Sequence, residues 1–530
     1  MLYLVLSKFA DLDLLPTTVP NTTMGYLYEE LIRRFSEQSN ETAGEHFTPR
    51  DVIRLMVDLL LMADEDVLAK PGIFRTLYDP ACGTGGMLSV AQEWLAEHNS
   101  KARLQVAGQE LNDETFAICR SDMILKGQEG ADIHAGNSFT EDGTAGQRFD
   151  YMLANPPFGV EWKKVKDEIE AEHKSQGFKG RFGAGLPRIN DGSLLFLQHM
   201  LSKMKPVSAD GTTGGSRLAI VFNGSPLFTG AAGSGESEIR RWIIENDWLE
   251  AVVALPDQLF YNTGISTYFW VLTNRKSANR RGKVQLVHAR SLWTKMRKSL
   301  GDKRKTISED QAKEIIELYA EFTEGEQVKI FPNEAFGFQR ITVERPLQLR
   351  WEVTGETLAA VEAGKPVTAL EPEARLKLLD ALGRFRGTVF ATEAKARQAV
   401  VDVLYEAGLS KPAQQKPVLA AFAVRDPEGP VITNRADEPE PDPDLRDNEN
   451  VPLPSVRVHF EADVTARLAA TEYRKAVDSY VETEVRPWMP DAWVDHARTR
   501  IGYEIPLTRH FYRYTHRRVR SPRSTPRSNS

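Results

Sequence analysis

An α/β sheet wound on both faces is the fold class that this 530-residue chain predicts. Short apolar strands alternate with helical segments from about Phe74 to Thr273, the rhythm of parallel strands joined by crossover helices. A Gly-rich turn stands where the first strand should give way to a helix. The second strand ends in an acidic residue about two dozen positions later, the spacing at which a strand end can hold a ribose.

The elements follow in order. Met24, Leu27, Leu31 and Phe35 recur at helical spacing, predicting an amphipathic helix over Thr23–Ser39. A second helix is expected from Asp51 to Met62, with Thr48 as its N-cap and Pro49 at its first position. Strands are expected at Thr76–Asp79, Gln105–Glu110, Tyr151–Ala154, Arg217–Phe222, Leu249–Ala254 and Thr267–Leu272. Helices are expected at Gly86–His98, Asn112–Lys126, Ser193–Met204 and Glu236–Asn246. After Lys276 the character changes: two basic clusters, RKSANRRGK and KMRKSLGDKRK, precede a helix near Asp310–Glu324, and Thr354–Glu406 reads as mainly helical. The stretch 426–450 is rich in Pro, Asp and Glu and reads as a linker or long surface excursion. The basic, low-complexity tail 516–530 is expected to be disordered.

Composition narrows the function. At 41% apolar and 27% charged, the chain is that of a soluble globular protein. No apolar run approaches the roughly 20 residues that span a bilayer. The opening MLYLVLSKFADLDLL is broken by acidic residues and lacks a small-residue cleavage site, so no signal peptide is expected. Two cysteines, Cys82 and Cys119, allow neither a disulfide framework nor a structural zinc site and fit a reducing cytoplasm. A net charge of −7 argues against a chain that grips nucleic acid with its whole surface, though a local basic groove or a partner subunit remains compatible.

Two constellations carry chemistry. In Asp79-Pro80-Ala81-Cys82-Gly83-Thr84-Gly85-Gly86 the glycines permit a tight turn and close approach of a ligand to the backbone. Asp79 can accept from a ligand amine, and Glu110, ending the second strand, is placed to hold both hydroxyls of a ribose. No Lys-Ser/Thr follows the glycines, so the turn is not a triphosphate loop. The second constellation, Asn155-Pro156-Pro157-Phe158, follows the strand YMLA. Its prolines lock an extended turn and remove backbone donors, leaving the Asn155 oxygen and the Pro156 carbonyl as acceptors for an amine with two hydrogens. Phe158 offers a face to a planar ring. An exocyclic amine on adenine or cytosine is a poor nucleophile because its lone pair is delocalised. Accepting both hydrogens makes the nitrogen more pyramidal and more nucleophilic, a gain from positioning and electrostatics. Such an amine lies inside the duplex, so the base must be flipped out. Without a Pro-Cys pair, methylation of the cytosine ring is excluded.

Together these motifs resemble the gamma group of N6-adenine DNA methyltransferases, and beyond them the modification subunit of type I restriction-modification systems. GEHFTPR (44–50), DPACGTGG, GNSF (136–139), ANPPFG (154–159), the stretch from Asp191 to His199 and LEAVVALPDQLFYNTGISTYFWVLTNRK carry the resemblance. It covers most of 23–345 and resumes at IGYEIPLTRHFY.

The resemblance implies a Rossmann-like class I methyltransferase with a mixed, mostly parallel seven-stranded sheet, a short N-terminal helical segment and a largely helical C-terminal region. It implies S-adenosylmethionine as cofactor. Glu45, His46, Phe47, Thr48, Pro49 and Arg50 would line its methionine end. Asp79, Ala81, Gly83, Thr84 and Gly85 would cradle the methionine portion near the ribose, Glu110 would hold the ribose, and Asn137 would lie near the adenine ring. Asn155, Pro156, Pro157 and Phe158 would hold the target base. The implied partners are DNA, a specificity (S) subunit, a restriction (R) subunit and a second modification (M) subunit, giving a complex of two modification subunits and one specificity subunit. Domains would run 1–40 (the end of an N-terminal helical domain, longer in the family), 41–300 (catalytic), 301–425 (helical or mixed extension), 426–450 (linker), 451–515 (partner binding) and 516–530 (tail).

The segment Trp162–Arg188, with Lys163, Lys164, Lys166, Lys174, Lys179, Arg181 and Arg188, reads as a mobile basic loop that touches DNA phosphates beside the flipped base. Two alternatives stand beside the main reading: methylation of another amine or amide, in RNA or protein, and an inactive scaffold that binds cofactor without transfer.

Overall fold

The computed structural model describes residues 7–8, 10–13, 18–19, 48–64, 68–128, 130–209, 213–261 and 263–512. The expected helix Thr23–Ser39, the site candidates Glu45, His46 and Phe47, and the tail 516–530 lie outside them. The chain divides into two compact units, one formed by residues 1–338, 452–464 and 501–530, the other by 339–451 and 465–500.

The first unit is built on one sheet. Its strands are β1 (Phe74–Asp79), β2 (Arg103–Glu110), β3 (Asp132–Ala135), β4 (Tyr151–Ala154), β5 (Arg217–Phe222), β6 (Leu249–Ala254), β7 (Tyr268–Thr273), β8 (Lys283–His288) and, after a separate hairpin of β9 (Thr294–Leu300) and β10 (Lys303–Thr306), β11 (Val328–Pro332). The order is β11-β8-β6-β7-β5-β4-β1-β2-β3. Neighbours run parallel except at β7, antiparallel to both β5 and β6, and at β11, antiparallel to β8. The sheet thus has nine strands rather than seven. β8 and β11 extend it beyond β6, because VQLV and VKIF are apolar enough to cover that edge yet short enough to be overlooked among the charged residues around them. The central strands are buried along their whole length, as in RLAIVF and LEAVVA, which is what a sheet covered on both faces requires.

Helices flank this sheet: α1 (Arg50–Leu61), α2 (Gly86–His98), α3 (Asp113–Leu125), α4 (Lys166–Gln176), α5 (Ser193–Ser202), α6 (Gly235–Glu245) and α7 (Glu309–Glu321). α1 buries Val52, Ile53, Leu55, Met56, Val57, Leu59, Leu60 and Leu61 in the same core as α2 and the strands. Its start differs from the expectation. Pro49 is the N-cap, its carbonyl receiving Val52 N and Ile53 N at 3.0 and 2.9 Å, and Thr48 caps nothing. A threonine before proline looks like a cap in sequence, but a tertiary partner, Asn155, takes its hydroxyl instead. A capping box of Ser308 and Gln311 opens α7.

The second unit has its own core. Four helices, α8 (Gly355–Ala363), α9 (Pro372–Gly383), α10 (Glu393–Glu406) and α11 (Pro412–Ala421), bury Leu358, Leu378, Val400 and Leu419 around Trp351 and Phe422. The acidic, Pro-rich stretch is pinned by bridges from Pro346 to Pro441 and from Gln348 to Val431, and Arg425 pairs with Asp442 at 2.9 Å. Among the described residues no helix is long and apolar enough to cross a membrane.

Candidate functional site

The site lies at the carboxyl ends of β1, β2 and β4, where a doubly wound sheet leaves a crevice. A cavity of about 440 Å³ opens there. Thr48, Arg50, Asp79, Ala81, Gly83, Thr84, Glu110, Asn137, Asn155 and Pro157 all line it. Pro49, Gly85, Pro156 and Phe158 adjoin these residues in the chain but do not form its wall.

The glycine turn is fixed from three sides. Cys82 N donates to Gln109 O at 3.0 Å, Gly85 N to Cys82 O at 2.8 Å, and Gly83 N to the Glu110 carboxylate at 3.0 Å. The other Glu110 oxygen receives Asn112 N at 2.9 Å. Glu110 therefore spaces the turn from its own strand end while lining the cavity. Gly83 and Gly85 adopt φ of 54° and 82°, the left-handed region, and a Cβ on Gly85 would stand 2.5 Å from Met123 Cε and 2.8 Å from Cys119 Sγ. Gly85→Val is accordingly expected to cost roughly 2–5 kcal/mol, left-handed strain plus overpacking, read as a fall in denaturant midpoint at constant slope.

Asp79 is buried, and its Oδ1 accepts from Ala81 N at 3.0 Å. Burial, reinforced by the neighbouring Glu110 charge, raises its carboxyl to about 8. The stability contributed by this bound proton is full below the ordinary 3.8 and is lost as pH rises through about 8.

At the opposite wall, Asn155 Nδ2 donates to Thr48 Oγ1 at 3.0 Å. That contact fixes the amide's orientation and leaves Oδ1 as its free end. Oδ1 is buried without a hydrogen-bond partner among the described residues, an arrangement that costs about 1–3 kcal/mol unless a ligand donor fills it. Phe158, half-buried, meets Phe260 edge to face at 6.4 Å.

The segment after the proline turn differs from its sequence reading. It forms α4, not a mobile loop, and much of its charge is already engaged. Lys166 and Lys174 pair with Glu170, and Arg188 pairs with Asp191 and donates to Ser225. Phe182 is fully buried with Phe139, Trp162, Ile169 and Leu195. Arg181, in ion pair with Glu172 at 2.6 Å, donates to Ser138 O and Phe139 O at 3.0 and 2.7 Å. It thereby ties the segment to the loop that follows β3. A third contact, to His199 Nδ1 at 3.3 Å, makes that nitrogen an acceptor, since guanidinium can only donate. His199 Nε2–H is left to donate to the Tyr78 hydroxyl at 3.0 Å. Burial pushes the His199 imidazole far below its ordinary 6.5, with nearby Lys203 acting in the same direction, so it is neutral. Periodicity could not foresee this, because the partners of Arg181 come from separate stretches of chain.

Trp162, Val165, Phe139 and Phe196 also line the cavity and were not singled out as site residues, and Lys164, expected on DNA phosphates, lines it too. Phe139, inside GNSF, and Phe196, inside the stretch from Asp191 to His199, carried local signals. Among the described residues no cluster of three or more His, Cys, Asp or Glu side chains is placed to hold a metal ion.

Similar proteins supply independent grounds. A type I restriction enzyme methylase subunit of Methanocaldococcus jannaschii (MjaIX) is 28% identical over 324 residues, covering 61% of this chain and 53% of its own. The HindI methylase subunit of Haemophilus influenzae is 28% identical over 271 residues, covering 51% and 54%. This chain therefore spans about half the length of the curated relatives it matches. The crystal structure of a type I restriction-modification methyltransferase subunit from Streptococcus thermophilus superposes with a TM-score of 0.50 at 25% identity, over 63% of this chain and 64% of that one. The profile of the N-6 DNA Methylase family matches residues 20–336, well over half of the sequence, and the strand order and the two cavity walls fall within that match. The chain belongs to the N-6 DNA Methylase family.

Proposed function

We propose that this chain transfers a methyl group from S-adenosylmethionine to the N6 amino group of adenine in DNA. It does so as the modification subunit of a type I restriction-modification system. The observation that carries the reading is the buried Asn155 Oδ1, without a hydrogen-bond partner among the described residues, on a residue that lines the same cavity as Asp79 and Glu110.

The residues present fit the cofactor. Asp79 offers a buried acceptor suited to an ammonium group, Glu110 an acceptor for ribose hydroxyls, and Gly83 a close approach to backbone. Glu45, His46 and Phe47, expected at the methionine end, belong to the same proposal. When bound, the cofactor supplies an electrophilic methyl on a positively charged sulfur. Asn155 Oδ1 accepts one hydrogen of the adenine amine and the Pro156 carbonyl the other, orienting the nitrogen lone pair toward that methyl. The proline-locked turn holds both acceptors in place, so little reorganisation is needed during transfer. Phe158 stacks on the flipped base.

A positively charged ligand favours ionised Asp79. Cofactor affinity is therefore expected to rise with pH toward about 8 and level off above it, with a proton released on binding. Calorimetry in two buffers of different ionisation enthalpy measures that proton, and Asp79→Asn should abolish it.

Target choice belongs, in this reading, to a specificity subunit held through 451–515. A second modification subunit completes the complex around that one specificity subunit, and a restriction subunit supplies cleavage. Co-expression with a specificity subunit, followed by sequencing for modified adenines, tests the whole. Cofactor binding with no methylated adenine in any subunit combination would refute it.

A further inference from the structure

The KMRKSLGDKRK cluster is left unused by the site described above. We propose that the β9–β10 hairpin is the surface that grips the DNA backbone beside the target base, an inference that rests on the adenine-methyltransferase reading.

Three observations point there. The first is charge. In a chain of net −7, residues 294–306 carry Lys295, Arg297, Lys298, Lys303, Arg304 and Lys305 against Asp302 alone. Lys295, Arg297, Lys298 and Arg304 are exposed, and none has an ion-pair partner among the described residues. Lys295 also stands directly across from Lys305 in the ladder, a like-charge pairing in which Asp257 neutralises Lys305 and leaves Lys295 exposed. Lys305 itself is held by Asp257 and by the Trp293 ring, 4.0 Å away.

The second observation is rigidity. Lys303 is buried and donates to Asp51 at the start of α1 and to Leu259 O at 2.9 Å. Thr306 Oγ1 and Ile307 N also donate to Asp51, at 2.6 and 3.0 Å. The hairpin is thus a fixed arm, unlike a solvated basic tail.

The third is position. Asp302 N donates to Tyr261 O at 2.9 Å, and Arg304 N and Lys305 N donate to Gln258 O at 3.0 and 3.2 Å. The segment so gripped carries Phe260, which packs on Phe158 of the proline turn. One end of the arm is therefore anchored beside Phe260, the residue that packs on the proline turn. Its free cations extend the polyanion grip that the engaged Lys166, Lys174, Arg181 and Arg188 do not supply. Duplex DNA, with one charge per about 1.7 Å of axis, is the partner whose charge matches.

The test measures duplex binding by the full-length chain against salt. A variant carrying Lys295→Glu, Arg297→Glu, Lys298→Glu and Arg304→Glu should bind more weakly. Its log-affinity against log-salt slope should be shallower by about 2 to 4, near 0.9 for each phosphate no longer neutralised. The corresponding glutamine variant should show the same direction, and thermal unfolding and cofactor affinity, unchanged in both, show that the fold and cavity survive. An unchanged slope in variants that still bind DNA overturns the hairpin assignment alone, and methyl transfer to DNA by the wild-type chain with a specificity subunit then stands. A wild-type chain that binds no duplex overturns the assignment, and if it also fails to methylate DNA, the parent reading falls with it. Preference for structured RNA over duplex DNA, with the same residues responsible, overturns the DNA assignment in favour of an RNA-binding arm.

Discussion

Asn155→Ala should reduce methyl transfer by about 10²–10³-fold or more, the scale seen when a preorganised acceptor or donor is removed from a reacting centre. Cofactor affinity should stay within about twofold, because Asn155 is placed to act on the amine and leaves Glu110 and the glycine turn untouched. Single-turnover transfer from labelled cofactor, beside a direct binding isotherm, separates the two effects. The amide does two things at once: Nδ2 is held by Thr48, and Oδ1 has no partner among the described residues. Asn155→Asp keeps an oxygen at the wall and can receive the Thr48 hydroxyl proton, so partial activity is expected there. If alanine leaves the transfer rate intact, the amine is not activated by this turn and the reading of the cavity is wrong.

Glu110→Ala should be the most damaging change on the cofactor side. Both carboxylate oxygens receive backbone N–H groups, from Gly83 and Asn112. Their removal strands the buried Gly83 donor at about 1–3 kcal/mol, whereas Asn112, exposed, can turn its N–H to water. The ribose contacts proposed for the same group would go as well. Cofactor affinity should fall on the order of 10²-fold or more, since each hydrogen bond to a charged group is worth about 1.5–3 kcal/mol, and the unfolding midpoint should fall with it. Glu110→Gln keeps one carbonyl acceptor but brings a donor toward a backbone N–H, so it should recover only part of either loss. An alanine variant that binds cofactor as tightly as the parent, with stability reduced, would show that Glu110 serves the turn and not the ligand.

Much of this architecture could be read directly from residue order. Strands such as RLAIVF and LEAVVA are short and apolar apart from Arg217 and Glu250, which pair with each other at 3.1 Å, so both their type and their limits were legible: Arg217–Phe222 and Leu249–Ala254 fall where expected. The helix Gly86–His98 was equally clear, because left-handed glycines bound one end. What escaped was set by partners distant in sequence. Thr48 reads as a cap until Asn155 is folded against it. Arg181 and Phe182 read as a solvated basic loop until other segments close around them. The two added strands hid in polar surroundings, VQLV behind a basic cluster and VKIF between Glu324, Glu326 and Glu334, since three apolar residues apiece give too little periodicity to separate strand from turn. Local chemistry was legible; the assignment of charges to interior or surface was not.

The neutral histidine behind the cavity has a consequence for acid tolerance. Below pH 6.5 an unfolded chain gains a proton on His199 that the native state refuses, so this group by itself lowers stability in acid while the native joint between Tyr78 and Arg181 keeps its charge and its bonds. From pH 6.5 down to the ordinary carboxylate range the proton held by Asp79 acts in the opposite sense and offsets this loss, so these two groups together leave the margin against unfolding nearly level. This histidine would yield as one cooperative collapse rather than as a gradual local opening.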